Sequence, residues 1–436
     1  MKKIIALLLA VSMALGMGVL LSGCDQPEVK GKVYYLNPNP EANDIWQALA
    51  SEYTEETGVE VKVITTVSGV YEDDLAAALA GEQAPTLFQC NTAKDLEALN
   101  EYCLDLTGTT VLKEMTTTDM NLEDGNGAVK AIGYGFEAFG IIVNKGLLKQ
   151  AGYEVADITD FETLKAVTED IHARCEELGF DAFVAPNLNG SSWILSGSVS
   201  NTPGYYRLAN MPLYYEFRDD QITEPPASIQ GTYLNAYKNI WDLMNQNAVE
   251  APVNLAEEAV DPSLENFGSG QAVFWQQGTW VYPSLVGDTY KMKPADLQMI
   301  PIYCGVEGEE NSALCCGVEN RWAVNAKASE ADIQATLDFL AWVVTSNTST
   351  AAMAEQFGAI PFRAAKKPQN VFFADIQQMI AQEKYIVNWV FETLPDMEQW
   401  RLGVVSALSD YTAGNGEWSV VETAFIDGWS TKTTDA

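Results

Sequence analysis

Two kinds of hydrophobic spacing take turns along the first part of this chain, and that alternation narrows the fold more than any composition does. "VYYL" (33–36) is a short apolar run stopped by "NPNP" (37–40). Ile45, Trp46, Leu49 and Tyr53 then recur at helical spacing as far as Thr57, and Gly58 ends the run. "VEVKVI" (59–64) alternates as a strand does when one face is buried. A second helix is expected from Tyr71 to Ala80, closed by Gly81, and "PTLFQC" (85–90) supplies the next strand. Such an order favours a mainly parallel sheet covered by helices on both faces. Ligands of these sheets sit beyond the carboxyl ends of the strands, so the segments Asn37 to Asn39 and Cys90 to Ala93 are where a site is expected.

Further on, "IGYGFEAFGIIVNKGLLKQAG" (132–152) passes through glycine-spaced extended chain into a strand and a short helix. Asp160 caps a long helix with Phe161, Leu164, Val167, Ile171 and Leu178 on one face and Gly179 at its end. His172, the only histidine, sits beside that stripe with no serine or cysteine nucleophile arranged around it, and reads as a half-buried helical residue. Residues 186–226 read as a loop-rich insertion or a group of short helices. Tyr237, Ile240, Trp241 and Met244 mark a helix from Tyr233 to Asn245. "LQMIPIYCG" (297–305) reads as a strand, "CCGVENRWAVN" (315–325) as its hairpin return, and Ile333 to Val344 as a helix. There is no internal repeat, phosphate-binding loop or dinucleotide fingerprint.

At 436 residues the chain exceeds what a single core usually holds, so two domains are expected. Its start is a targeting segment. Lys2 and Lys3 precede an apolar run from Ile4 to Leu21, which meets Leu21-Ser22-Gly23-Cys24. That tetrapeptide resembles the bacterial lipobox, which implies removal of residues 1–23, a lipid on Cys24, a tether over 24–30, and a location on the extracytoplasmic face of the cell membrane. The formal net charge of −35 repels phosphate backbones, so nucleic acid is excluded as a partner. Of the remaining cysteines, Cys90, Cys103, Cys175, Cys304, Cys315 and Cys316, none shows C-x-x-C spacing, and no metal or cofactor site is expected. Export permits disulfides, with Cys304 facing Cys315 or Cys316, but buried thiols serve equally well, and both states stay open.

"QAVFWQQGTW" (271–280) concentrates aromatic and amide groups. Ala272 and Phe274 alternate as a buried strand, with Phe274 or Trp275 in the core. Gln276, Gln277 and Trp280 follow where alternation stops. An indole there suits the flat C–H face of a sugar ring, and amides offer both donors and acceptors to hydroxyls.

In this order the segments resemble the extracellular solute-binding lipoproteins of carbohydrate ABC transporters, the maltose-binding-protein-like family 1. The resemblance runs from Val33 to Trp429. It implies an α/β fold of the periplasmic-binding-protein-like type II class, two lobes joined by a hinge of three crossings. Lobe one would take 31–135 and 300–345, and lobe two 136–299 and 346–436. "GFEAFGIIVNK" (135–145) is similar to the family's first crossing, with Glu137 at the place of a ligand-facing carboxylate. "GSGQAVFWQQGTW" (268–280) is similar to a strand followed by Gly-x-Trp, which gives Trp280 the stacking role. "GVENRWAVN" (317–325), "FGAIPFRAA" (357–365) and "EQWRLGVVSAL" (398–408) match later segments that return to the cleft, the last carrying Trp400.

Asn37, Asn91, Trp193, Glu319 and Arg363 complete the expected substrate-binding set, each with a bland alternative: turn capping for the asparagines, core for Trp193, an exposed hairpin charge for Glu319 and ion pairing for Arg363. The implied function is capture of an oligosaccharide by a monomer and its delivery to permease subunits, without catalysis. Two other readings stay open. Acidic and aromatic groups together also suit a cationic solute such as a polyamine, with Glu137 and Glu319 as charge partners. Aromatics with paired carboxylates also occur in glycoside hydrolases.

Overall fold

The computed structural model describes residues 30–67, 71–185, 204–218, 226–257, 263–358, 360–390 and 397–430. The export segment, Cys24 and Trp193 lie outside the described residues. Among the described residues no helix is long and apolar enough to cross a membrane.

Ten strands make one curled sheet: β1 (Val33–Asn37), β2 (Val61–Thr65), β3 (Leu87–Gln89), β4 (Leu122–Glu123), β5 (Val129–Asn144), β6 (Asp181–Val184), β7 (Ala272–Gly278), β8 (Leu297–Ile300), β9 (Ser312–Val324) and β10 (Tyr385–Asn388). The order is β2-β1-β3-β9-β5-β7-β6, with β10 on β9 and both β4 and β8 on β5. As the alternating spacing predicts, β1 pairs parallel with β2 and β3, and β6 with β7, but β5 runs antiparallel to β4, β7, β8 and β9, and β9 to β3, so the sheet is mixed rather than mainly parallel. The helix Asn43–Thr57 buries Trp46, Leu49, Ala50 and Tyr53 against the first strands, and Gly58 at φ 70° terminates it in the left-handed region. Asp160 and Thr163 form a reciprocal cap at the start of the helix Phe161–Ala173.

Two long strands tie the lobes together. The first part of β5 pairs with the end of β9 at Ile132 and Trp322, inside the core that holds Tyr35, Trp46 and Tyr134. The next part of β5, Phe136 to Phe139, pairs with Cys315 to Val318 and runs into the core that holds Phe139, Phe161, Tyr237 and Trp241. The chain passes from the first lobe to the second near Gly135 and returns near Asn320. It leaves again between Ala365, packed on the first core, and Phe372, packed with Ile142 and Trp275 on the other face of the second lobe's strands. The fold is therefore the two-lobed, type II solute-binding architecture with three crossings.

Packing revises several sequence expectations. β9 is no hairpin return of β8: both lie along the same edge of β5, β8 beside Ile141 to Asn144 and β9 beside Ile132 to Phe139. Residues 346–362, expected in lobe two, put Met353, Phe357, Ile360 and Phe362 into the first core. Ile300, Ile302, Cys304 and Cys315, expected in lobe one, lie in the second. Apolar spacing marks a strand as buried, but it does not mark where along its length a strand changes cores. The helix after Asp160 ends at Ala173, and a separate turn, Cys175–Leu178, precedes Gly179. All six cysteines among the described residues are free thiols, so Cys304 is joined to neither Cys315 nor Cys316. Burial pushes the thiols of Cys304, Cys315 and Cys316 up, which keeps them protonated.

Candidate functional site

The β5–β9 ribbon is irregular at the crossing. Its register slips between Gly133 and Gly135 and again between Gly135 and Phe136, so that β9 advances from Val318 to Asn320 while β5 advances one residue. Glu319 is the extra residue of that bulge. Bulges bend a strand and weaken its ladder locally, which is what a hinge between two packed cores requires.

The base on the first-lobe side is firm. Tyr134 stacks on Trp322 with ring centroids 3.8 Å apart, and Gln89 Nε2 donates to the hydroxyls of Tyr35 and Tyr134. Burial pushes the Tyr35 phenol up to about 12. Arg321, itself buried, donates from Nε to the Met120 carbonyl at 2.8 Å, and from Nη1 to the carbonyls of Asn91 and Val318. Asn91 Oδ1 accepts from the Arg321 backbone N–H at 2.9 Å, and its Nδ2 donates to Gln89 Oε1. These bonds make Asn91 a clamp on the returning strand. Asn37 is fully buried, with its amide spent on the Asn39 carbonyl and Thr65 Oγ1, which is the turn-capping alternative. Asn39 reaches the crossing instead, donating from Nδ2 to Asn320 Oδ1 at 2.7 Å.

On the second-lobe side two indoles lie over glycines. Glu137 pairs with Gly317, and Phe139 pairs with Gly278 on its other edge. Residues directly opposite each other in a sheet, and those two apart along a strand, share a face, so Glu137, Phe139, Gly278 and Gly317 lie on one face. A Cβ on Gly317 would come within 2.4 Å of the Trp389 ring, and one on Gly278 within 2.2 Å of the Trp280 ring. Each glycine thus lets an indole lie flat on the backbone. Trp389 also stacks on Phe139 at 5.6 Å. Both tryptophans remain half-buried, and Trp280 Nε1 donates to Gln277 Oε1 at 3.1 Å. Asn370 braces this end of β7, donating to the Thr279 carbonyl at 2.8 Å while its Oδ1 accepts from the Phe372 N–H.

Glu137, Thr279, Trp280 and Asn370 face Glu355, Gln356 and Phe357 of the first lobe's helix Asn347–Phe357 across a narrow gap. The free volume there is about 10 Å³, room for about one water. Sites for small organic ligands run to roughly 300–1,000 Å³, so a guest enters this gap only when the lobes part.

Several sequence candidates fall elsewhere. Trp400 is 2% exposed, its Nε1 bonded to the Phe425 carbonyl, in the packing of the helices Met397–Thr412 and Trp418–Ser430. It is a core residue and does not reach the gap; a helix contact with its indole in a core carries the same spacing as one that faces a cleft. Arg363 is exposed and donates from Nε to the Lys113 carbonyl rather than to a carboxylate. The backbone of Glu319 forms the bulge, and its side chain lies outside what the structure describes. Phe274 and Trp275 are both buried, Phe274 in one core and Trp275 in the other, because β7 is covered on both faces and does not alternate in burial as its spacing suggested. Trp389, Glu355 and Gln356 were missed. Trp389 follows a short strand with no glycine beside it in sequence, and Glu355-Gln356 immediately precedes the "FGAIPFRAA" segment that did point to the cleft.

Two lobes with a hinge that passes beside an aromatic, acidic gap form an arrangement that can enclose a solute. The chain belongs to the family of bacterial extracellular solute-binding proteins, whose pattern matches residues 48–377. No curated protein matches it. Among solved structures it is similar to the GacH receptor of Streptomyces glaucescens GLA.O, determined unliganded and with acarbose, at 18% identity and TM-score 0.67 over 94% of this chain and 100% of that one. It is similar to RafE from Streptococcus pneumoniae at 14% identity and TM-score 0.65, over 93% and 98%. A chitin oligosaccharide binding protein matches at 16% identity and TM-score 0.66, over 93% and 100%.

Proposed function

We propose that this protein is the extracellular substrate-binding component of an ABC importer, a monomer held at the membrane by a lipid on Cys24, which captures an oligosaccharide between its lobes and hands it to the permease. The observation that carries the ligand class is the pair of half-buried indoles, Trp280 and Trp389, seated on glycines on the Glu137 face of the crossing strands. Two flat apolar plates flanking a hydrogen-bond acceptor match alternating C–H and hydroxyl surfaces of a sugar chain. Similar structures include GacH with acarbose, RafE with raffinose and a chitin oligosaccharide binding protein, which supports the same ligand class here. Glu137 and Trp280 line the closed gap, and Trp389 becomes the second plate when the lobes part at the bulges of β5 and β9. Trp193 and the side chain of Glu319 stay as sequence-based candidates for the same wall.

Titration calorimetry against a panel of gluco-, galacto-, xylo- and chito-oligosaccharides tests this reading, with Trp280→Ala in parallel. Micromolar binding of one class, corresponding to roughly −8 kcal/mol, with loss in the variant, is the expected result. A chain that binds none of them, or a variant that binds as tightly as the parent, refutes it. A receptor for a cationic solute is distinguished by salt: its affinity falls steeply as ionic strength rises, whereas that for a neutral sugar barely moves.

A further inference from the structure

The single histidine of this chain and one of its cysteines meet at the edge of the second lobe. Of the six described cysteines, five are buried, and only Cys175 is partly open to solvent. His172 occupies the last turn of the helix Phe161–Ala173, Cys175 opens the short turn Cys175–Leu178, and Asp181 is the first residue of β6. The break at Arg174 and the left-handed Gly179 at φ 77° fold these ten residues back on themselves. As a result an imidazole nitrogen, the Cys175 Sγ and an Asp181 carboxylate oxygen all lie within 4.8 Å of one another. His172 Nδ1 is 2.8 Å from Asp181 Oδ1. The intervening cation is turned away, since the Arg174 guanidinium donates to Asp170 and to the Ala151 carbonyl.

We propose that His172, Cys175 and Asp181 form a binding site for a single zinc ion. Nitrogen, sulfur and oxygen donors in one cluster suit a borderline cation, and three protein ligands with water at the fourth corner complete a tetrahedron. A hard cation such as calcium takes six or more oxygens, which this cluster does not offer. Nδ1 of the neutral imidazole ligates with its one proton on Nε2, and the thiol proton leaves to solvent as the sulfur–zinc bond forms. One proton is released per ion and no electron is transferred. The three ligand atoms already lie within 4.8 Å of one another, so small adjustments of side chains and loop suffice: His172 Nδ1 and Asp181 Oδ1 open slightly from 2.8 Å to admit the ion.

The site is separate from the sugar gap. Asp181 pairs with Ala272 at the start of β7, whereas Trp280 follows its end, about 20 Å along the strand. Its effect is to pin the end of the helix Phe161–Ala173 to the edge strand of the second lobe.

The test uses the purified, reduced full chain. Equilibrium dialysis against zinc, and the near-ultraviolet thiolate-to-cobalt charge-transfer band on cobalt substitution, read the site directly. One equivalent of zinc is expected that is absent from both His172→Ala and Cys175→Ser, with the cobalt band lost in Cys175→Ser and affinity at least tenfold weaker in Asp181→Asn. His172→Asn replaces His172→Ala if that variant fails to fold, as judged by near-ultraviolet circular dichroism. A parent chain that takes up no zinc, or His172 and Cys175 variants that keep the same equivalent, overturns the proposal.

Discussion

Replacing Trp400 by alanine separates a residue that builds the fold from one that holds a ligand. Its indole is 2% exposed and meets Phe425 and Trp429 edge-on, with centroids 4.8 and 5.6 Å away. Its Nε1 donates to the Phe425 carbonyl at 2.8 Å. Truncating such a tryptophan costs about 3–5 kcal/mol through lost transfer energy and a cavity, and the orphaned carbonyl adds to the upper end of that range. For a lobe of this size each kcal/mol lowers the melting temperature by about 2–4 °C, so a fall of roughly 10 °C is expected. Thermal unfolding and calorimetry on the same preparation provide the assay. Trp400→Ala should melt well below the parent and bind oligosaccharide with unchanged affinity at 15 °C; Trp400→Phe, keeping most of the volume, should show about half the loss. An alanine variant that melts like the parent but fails to bind would refute the placement of this indole in the core.

The remaining expectations concern the gap and one buried acid. Trp280→Ala and Trp389→Ala should each weaken oligosaccharide binding by about tenfold or more, the equivalent of one lost stack of about 1 kcal/mol plus its burial, with little change in melting temperature. Gly317→Ala should act like Trp389→Ala on binding, because its Cβ would lie 2.4 Å from that ring, and should cost about 1–3 kcal/mol of stability measured by urea unfolding. Asp375, which accepts from the Met299 N–H at 2.9 Å, has its carboxyl pushed up to about 6 by burial, with that bond and Lys145 opposing. A raised acid binds its proton more tightly folded than unfolded, so its contribution is complete below about pH 4 and is lost as pH rises through 6. Asp375→Asn should therefore be more stable than the parent at pH 7, by up to about 3 kcal/mol, and equal to it near pH 4. A parent that gains stability on the variant between those pH values would contradict this.

What could be read directly from the residues was local. The spacing of Ile45, Trp46, Leu49 and Tyr53 and the alternation of "VEVKVI" depend only on which side of a helix or strand meets a core, and the helix and strand formed where they pointed. Trp280 lay where an alternating pattern stops, so the residues themselves marked it as a candidate, whereas Glu137 was marked only by the resemblance of its segment to the family's first crossing. Trp400 and Trp389 show the limit. Both are indoles near apolar neighbours in sequence, yet one is enclosed by two helices and the other lies on Gly317, 72 residues away along the chain. The cluster at His172 was equally hidden: its three ligands have no established spacing, and they meet because Arg174 breaks the helix and Gly179 reverses the chain. Sequence by itself determined the strands, helices, caps and negative surface of this protein, since each follows from the neighbours of a residue along the chain. Only the tertiary structure decided where β5 and β9 change cores, which polar groups face the gap and which aromatic groups are buried, because those depend on atoms brought together from distant segments, and the energy that selects them exists only once both partners are in place.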